Sequence, residues 1–302
     1  MAIRADWIAV DWGTSALRLW AIGAGGEVLA ERHSDKGMGR LVPDGFEPAL
    51  LEIAAQFLPQ DRVTVVVICG MAGARQGWIE APYQDVPCPP AGRDAVTAPT
   101  SDPRIRVRIL PGVAQAAPPD VMRGEETQIA GLLAGCPGFD GLACLPGTHT
   151  KWVRLRDGRI EGFRTAMTGE LFALLCDHSV LRHSIGPGWN AAAFAAAVAE
   201  AALRPEALTA ALFSIRAASL VAGMPGDAGR ARLSGLLIGS EIAAMRALWQ
   251  DRRVAVIGAE AISAHYATAL TRLGVEFSLH SGAGLCLAGL LAARARIRED
   301  ER

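Results

Sequence analysis

The chain has 302 residues, 51% hydrophobic and 20% charged, which is enough apolar material for two cores and excludes a disordered chain. Thirty basic residues against thirty-one acidic ones leave a formal charge of −1, so no global positive field exists to hold nucleic acid or an anionic membrane. The longest apolar stretches are Ala-rich and broken, one by Arg216, and none reaches the roughly 20 residues of a membrane helix.

In chain order, WIAVD at 7–11, ALRLWAI at 16–22 and GEVLAER at 26–32 read as strands, with hairpin turns at Gly13-Thr14-Ser15 and Gly23–Gly26. The start runs directly into this strand pattern without the features of a secretory leader. Phe46, Leu50, Ile53, Ala54 and Phe57 recur at helical spacing, with Pro48 near the helix start. RVTVVVICG at 62–70 is apolar and β-branched, the pattern of a buried strand. Residues 82–119 carry nine of the seventeen prolines and predict a long irregular excursion, a candidate functional loop. Inside it, RIRVRI at 104–109 alternates strictly, as a strand with one solvated face does. A helix opens at Gly124-Glu125-Glu126.

The same order then recurs. LACLP (142–146), KWVRLRD (151–157) and RIEGFRT (159–165) read as strands, separated by turns at Gly147–Thr150 and Gly158. Helices follow at about 168–181, an Ala-rich pair across 189–222, and 229–249; strand RVAVIG (253–258), a helix (260–273), strand VEFSL (275–279) and a helix (283–297) close the chain. Strand–turn–strand–turn–strand followed by alternating helices and strands, used twice, predicts a duplicated α/β domain with mixed sheets. The expected division is 1–123 and 124–302, with the last helix packing back on the first domain. Six scattered cysteines without a Cys-x-x-Cys pair fit reduced, mostly buried thiols of a cytoplasmic protein.

Two turns stand out. Asp11 ends a strand and is followed by Gly13, Thr14 and Ser15: glycine lets the backbone approach an anion, backbone N–H groups and hydroxyls cradle phosphate oxygens, and the carboxylate can hold Mg²⁺. Gly147, Thr148, Thr150 and Lys151 repeat the design with a cation in an arginine-dominated chain whose only lysines are Lys36 and Lys151. Either turn alone also reads as a plain hairpin; the pair, each opening one half of a duplicated fold, points to a phosphate site. Glu125 and Glu126 start a helix, either as acids favoured by its macrodipole or as a general base for a substrate hydroxyl. GMAGARQGW, with Arg75, Gln76 and Trp78, has the glycine density of a ligand loop, and Arg75, Arg123 and Arg164 are cations that can pair with a substrate carboxylate. No Walker loop or Gly-x-Ser-x-Gly elbow occurs, Gly282-Ala283-Gly284 lacks the dinucleotide spacing, and His178 and His183 fit capping or packing better than metal ligation.

The strings IAVDWGTSALRLW, GMAGARQGW, PYQDVP, VMRGEETQ, LPGTHTKWV and FRTAMTGEL resemble the 2-dehydro-3-deoxygalactonokinase family, within the actin, sugar-kinase and heat-shock chaperone superfamily. The resemblance is specific over 7–175 and mostly architectural beyond 180. It implies two similar ribonuclease H-like domains, each a mixed sheet with helices on both faces, and a nucleotide cleft between them. It implies ATP- and Mg²⁺-dependent phosphorylation of the terminal hydroxyl of 2-dehydro-3-deoxy-D-galactonate in galactonate breakdown. The oligomeric state stays open, a homodimer being one assembly. Asp11, Gly13, Thr14 and Ser15 then form the first phosphate and metal motif, and Gly147, Thr148, Thr150 and Lys151 the second. Gly239, Ser240, Glu241, Gly258 and Ala259 fall where the superfamily holds base and ribose. The candidates for the substrate side, from their own segments and chemistry, are Arg75, Gln76, Trp78, Arg123, Arg164 and Thr165. The catalytic Asp segment of many sugar kinases is absent; GEET is similar instead to the Gly-x-Glu-Glu-Ala segment of exopolyphosphatases, which implies Glu125 or Glu126 as base. A phosphohydrolase of that type and a nucleotide-gated binding module are the alternatives.

Overall fold

The structure, a computed structural model, describes residues 3–90 and 94–300. It divides into two compact units. The first comprises residues 1–139, 156–162 and 282–302, and the second 140–155 and 163–281.

In the first unit, β1 (Trp7–Trp12), β2 (Leu17–Ile22) and β3 (Val28–Ser34) form an antiparallel meander. Helix α1 (Phe46–Ala54) leads to β4 (Thr64–Gly70), which lies parallel to β1, and β7 (Ile105–Ile109) lies parallel to β4. With the two-residue β6 (Val96–Thr97) the sheet order is β3-β2-β1-β4-β7-β6. β1 and β4 are buried along nearly their whole length, which explains their apolar runs. One face packs Ile8, Val10, Trp12 and Ile68 on Phe46 and Leu50 of α1. The other packs Trp7, Ala9 and Cys69 on Cys286, Leu290 and Ile297 of the last helix, α9 (Gly282–Asp300). Helix α2 (Glu125–Gly135) runs against α9.

The excursion predicted at 82–119 is not an irregular loop. It supplies β6 and β7 and most of a small sheet of β5 (Tyr83–Asp85), β8 (Gly112–Ala116) and β9 (Pro119–Met122), in the order β5-β8-β9. Its prolines fall mainly at strand ends and between strands, where no ladder N–H is needed, so their density marked short strands rather than their absence. Arg106 is exposed while Ile105, Val107 and Ile109 are buried, as the alternation predicted.

In the second unit β10 (Gly141–Leu145), β11 (Thr150–Arg156), β12 (Arg159–Ala166), β13 (Val254–Gly258) and β14 (Phe277–Ser281) take the order β12-β11-β10-β13-β14, with β13 parallel to β10 and to β14. The tip of the β11–β12 hairpin, 156–162, counts with the first unit, where Ile160 bridges Cys88. Helices α3 (Thr168–His178), α4 (Ala191–Leu203), α5 (Leu208–Val221), α6 (Gly226–Ala244), α7 (Arg246–Trp249) and α8 (Glu260–Arg272) complete the unit. Asn190 caps α4 by accepting the Ala193 N–H at 2.9 Å. Small residues let α4 and α6 approach closely: a side chain on Gly235 or Gly239 would meet the backbone of Phe194 or Val198. Setting aside β6, the two main sheets share one order, an antiparallel meander extended by two parallel strands, which is the ribonuclease H-like arrangement.

Candidate active site

Three chain segments converge at the C-terminal end of β1 in the first unit. Asp11 and Cys69 are direct partners in the β1–β4 register. Beyond Cys69, Gly70 has φ +89° and its missing side chain would meet the Trp12 carbonyl. Gly124, at φ +107°, lies against the Gly70 backbone, 3.3 Å from where its own Cβ would stand. Only glycine accepts both the left-handed backbone and this contact, so the pair seats the start of α2 beside the ends of β1 and β4. Ligand sites in such sheets lie at the carboxyl ends of the strands.

The Gly13–Ser15 turn is held from one side. Met38 N–H donates to the Gly13 carbonyl at 3.0 Å, Gly39 N–H to Thr14 at 2.9 Å, and Trp12 Nε1 to the Lys36 carbonyl at 3.1 Å. A side chain on Gly37 would overlap the Thr14–Ala16 backbone. Thr14 and Ser15 remain exposed while Asp11 is half-buried. Burial raises the Asp11 carboxyl above its usual range, and Arg18 opposes this.

The two glutamates at the start of α2 differ. Both carboxylate oxygens of Glu126 accept the Gly124 N–H, at 3.0 and 2.8 Å, and one also accepts the Thr127 hydroxyl at 3.2 Å. Glu126 is buried, and burial followed by the charge of Glu125 pushes its pKa up to about 8. Glu125 is half-buried and accepts the Arg123 N–H at 3.0 Å. Arg123 is buried, donates one Nη2 bond to the Ala81 carbonyl at 2.8 Å and lies over the Tyr83 ring at 4.3 Å. Among the described residues its Nε and Nη1 find no hydrogen-bond partner. Of the other expected substrate residues, Trp78 is buried in the core beside Trp12 and stacked on Phe46 at 6.1 Å, whereas Arg75 and Gln76 are exposed nearby.

In the second unit Gly147 and Thr148 are exposed at the end of β10, and a side chain on Gly147 would meet nothing within 4 Å. The start of α3 packs on this turn, Glu170 N–H donating to Thr148 at 3.0 Å. Lys151 is buried along β11 and its Nζ donates to Thr165 Oγ1 at 2.9 Å. Thr150 faces inward, sharing a 2.9 Å hydrogen bond with Tyr266. Glu241 is the hub of that interior: it accepts from Trp152 Nε1 at 2.7 Å, from Tyr266 at 2.8 Å and from Thr168. Burial raises its carboxyl, and these donors pull against the rise. Arg164 is exposed, with its guanidinium on the Phe163 carbonyl.

A pocket of about 280 Å³ runs from Gly147 and Thr168 to an apolar end made by Ile238, Trp189 and His265. Trp189 and His265 stack with centroids 4.2 Å apart. Gly258 and Ala259 lie just before α8, which lines this pocket, but Gly239, Ser240 and Glu241 do not line it: Gly239 faces α4 and Glu241 is tied into the interior. Sequence reasoning missed Gly37, Trp189 and His265. The only local signal for Trp189 was an exposed aromatic just before a helix cap.

Two sheets of one order, each leaving its first strand through a glycine–hydroxyl turn, define the duplicated α/β fold of a sugar kinase. Within that class, the sequence matches the model of the family described as 2-keto-3-deoxy-galactonokinase over residues 11–293, and the chain belongs to this family. It is 43% identical to the Rhizobium meliloti (strain 1021) protein named probable 2-dehydro-3-deoxygalactonokinase, over 98% of this chain and 99% of that one. It is 35% identical to the 2-dehydro-3-deoxygalactonokinase of Escherichia coli (strain K12), over 95% and 97%. The crystal structure of a Sinorhizobium meliloti protein put forward as a 2-dehydro-3-deoxygalactonokinase superposes with a TM-score of 0.88 at 41% identity, covering 96% of this chain and 99% of that one. Among the described residues no helix is long and apolar enough to cross a membrane.

Proposed function

We propose that this chain transfers the γ-phosphoryl group of ATP to the terminal hydroxyl of 2-dehydro-3-deoxy-D-galactonate, giving the 6-phosphate. Family membership supports the reaction, and one observation carries the assignment of the substrate side to the first unit. Arg123 is a buried cation with two N–H-bearing nitrogens unpartnered, close to the α2 glutamates. Buried N–H groups without a hydrogen bond are costly, and a substrate carboxylate would satisfy them through charge-assisted hydrogen bonds.

Glu125 is the general base. Glu126 has both oxygens engaged by Gly124 and is buried, so it serves as the helix-start acid, whereas Glu125 is reachable. Neighbouring helical residues point about 100° apart, so one substrate hydroxyl meets one of them. Mg²⁺ fits Asp11: a single carboxylate at a strand end beside exposed hydroxyls is the sparse oxygen set this ion takes when phosphates supply the remaining ligands. When bound, Mg²⁺ neutralises charge on the β and γ phosphates. Thr14 and Ser15 donate to phosphate oxygens. Within the second unit, Lys151, steadied by Thr165, offers a fixed positive charge to nucleotide phosphate, and the base of ATP occupies the pocket ending at Trp189 and His265. The six cysteines are free, as suits a reducing cytoplasm.

The test is ADP release from the intact protein with ATP and Mg²⁺, with and without the sugar acid. The expected result is release that depends on the sugar acid and a KM for it that rises in Arg123→Lys. Phosphate release of equal rate without any sugar acid identifies a phosphohydrolase instead.

A further inference from the structure

We propose that Asp11, Cys69 and Cys286 form a site for a soft divalent cation, Zn²⁺ being the prototype, and that its occupancy switches the phosphotransfer site off. Three elements meet here: Asp11 on β1, its sheet partner Cys69 on β4, and Cys286 in the second turn of α9. One carboxylate oxygen and two sulfurs lie within 4.8 Å of one another. The sulfurs are 3.5 Å apart, and Cys69 Sγ is 3.9 Å from Asp11 Oδ1. A tetrahedral ion with its usual Zn–S and Zn–O lengths sets S···S at about 3.8 Å and S···O at about 3.6 Å. The Cys69–Cys286 and Cys69–Asp11 separations lie within a few tenths of an ångström of these values, with the fourth position left to water or a phosphate oxygen.

The surroundings favour a cation. Both thiols are buried, with the Asp11 carboxylate beside Cys69. A divalent ion there stabilises thiolates, as coordination of a thiol does in general. Binding converts two thiols, one carboxylate and M²⁺ into a bis-thiolate carboxylate complex, and two protons leave to solvent. Mg²⁺ does not take this site, because it demands oxygen ligands and near-octahedral geometry, whereas two sulfurs select a softer ion. The shared group is Asp11. Drawn onto the sulfurs, its carboxylate is no longer available to the phosphate turn, so a metal held by buried thiols competes with the work of the exposed hydroxyls beside it.

The decisive experiment uses Co²⁺ as the probe on the thoroughly reduced whole protein and reads the site without reference to turnover. The expected result is a sulfur-to-cobalt charge-transfer band and intense tetrahedral ligand-field bands, saturating at one ion per chain, with two protons released per ion in weak buffer. Cys69→Ala and Cys286→Ala should each abolish the band while keeping the circular dichroism of the parent. Zn²⁺ should displace the Co²⁺ bands. In ADP release, Zn²⁺ should inhibit the parent in the presence of excess Mg²⁺, and Cys286→Ala, still active with Mg²⁺, should need roughly 10–100-fold more Zn²⁺ for the same inhibition. Absence of a charge-transfer band in the parent, a band that survives both cysteine variants, or binding without proton release overturns the proposal, and none of these outcomes bears on whether the chain is a kinase.

Discussion

At the end of β1 a carboxylate, Asp11, comes before the glycine–hydroxyl turn; at the end of β10 the turn follows Pro146 and is succeeded by Lys151. The first turn is braced from outside by the 36–39 segment, and the second by the start of α3. Around the first turn stand Glu125 and Arg123, and around the second an apolar pocket. One supersecondary design has thus been given opposite charges and different neighbours. The acid end suits a cation and proton transfer, while the lysine end suits the nucleotide. The two turns share a backbone design, and the side chains that differ are where the proposed division of labour lies.

If that division holds, variants at the first turn lower kcat with KM for ATP nearly intact, and variants at the second act mainly through ATP. Glu125→Gln should show the largest effect, a loss of about 10²–10⁴-fold in kcat, against little loss for Glu126→Gln, as read by steady-state kinetics. Reversal of that order exchanges the roles of the two acids. Asp11→Asn should cost about 10²–10³-fold in kcat and flatten the Mg²⁺ dependence, on the scale of removing one preorganised charge-stabilising group. Lys151→Ala should lose about 2 kcal/mol, or about 30-fold, in kcat/KM for ATP; an unchanged value would remove Lys151 from the phosphate site. Gly37→Ala forces the Thr14–Ala16 backbone aside and should cost about 1–3 kcal/mol of stability by thermal unfolding, together with a slower turnover.

A separate effect is one of pH. Burial raises the Glu126 carboxyl from 4.5 to about 8, so between those values the folded state keeps a proton that the unfolded chain has lost. Stability contributed by the neutral form is complete below the lower value and falls as pH rises through the window, by up to about 1.4 kcal/mol per pH unit. Denaturant melts at pH 5, 6.5 and 8 should show this decline in the parent and a flatter profile in Glu126→Gln. A parent whose stability rises over that range contradicts the buried, proton-holding Glu126.

Much of this arrangement was readable from local pattern. The β-branched run at β4, the repeated meander and both turns are each encoded within a few residues, and the positions of Asp11, Lys151 and the paired glutamates follow from them. What escaped depends on distant segments. Gly37 matters only because the 36–39 segment folds under the first turn, and His265 meets Trp189 only through the packing of α8. Trp78 looked like a ligand because its loop is glycine-rich, yet an indole of that size finds more apolar area beside Trp12 and Phe46 than at a surface. The GSE string at 239–241 serves close helix packing and a buried hydrogen-bond hub, which spacing alone does not distinguish from a nucleotide contact.

The central claim, phosphoryl transfer to a sugar acid hydroxyl, is tested most directly by phosphorus NMR of the complete reaction with ATP, Mg²⁺ and 2-dehydro-3-deoxy-D-galactonate. One new phosphomonoester on the terminal carbon is expected for each ADP formed. ADP accompanied by inorganic phosphate alone would contradict it.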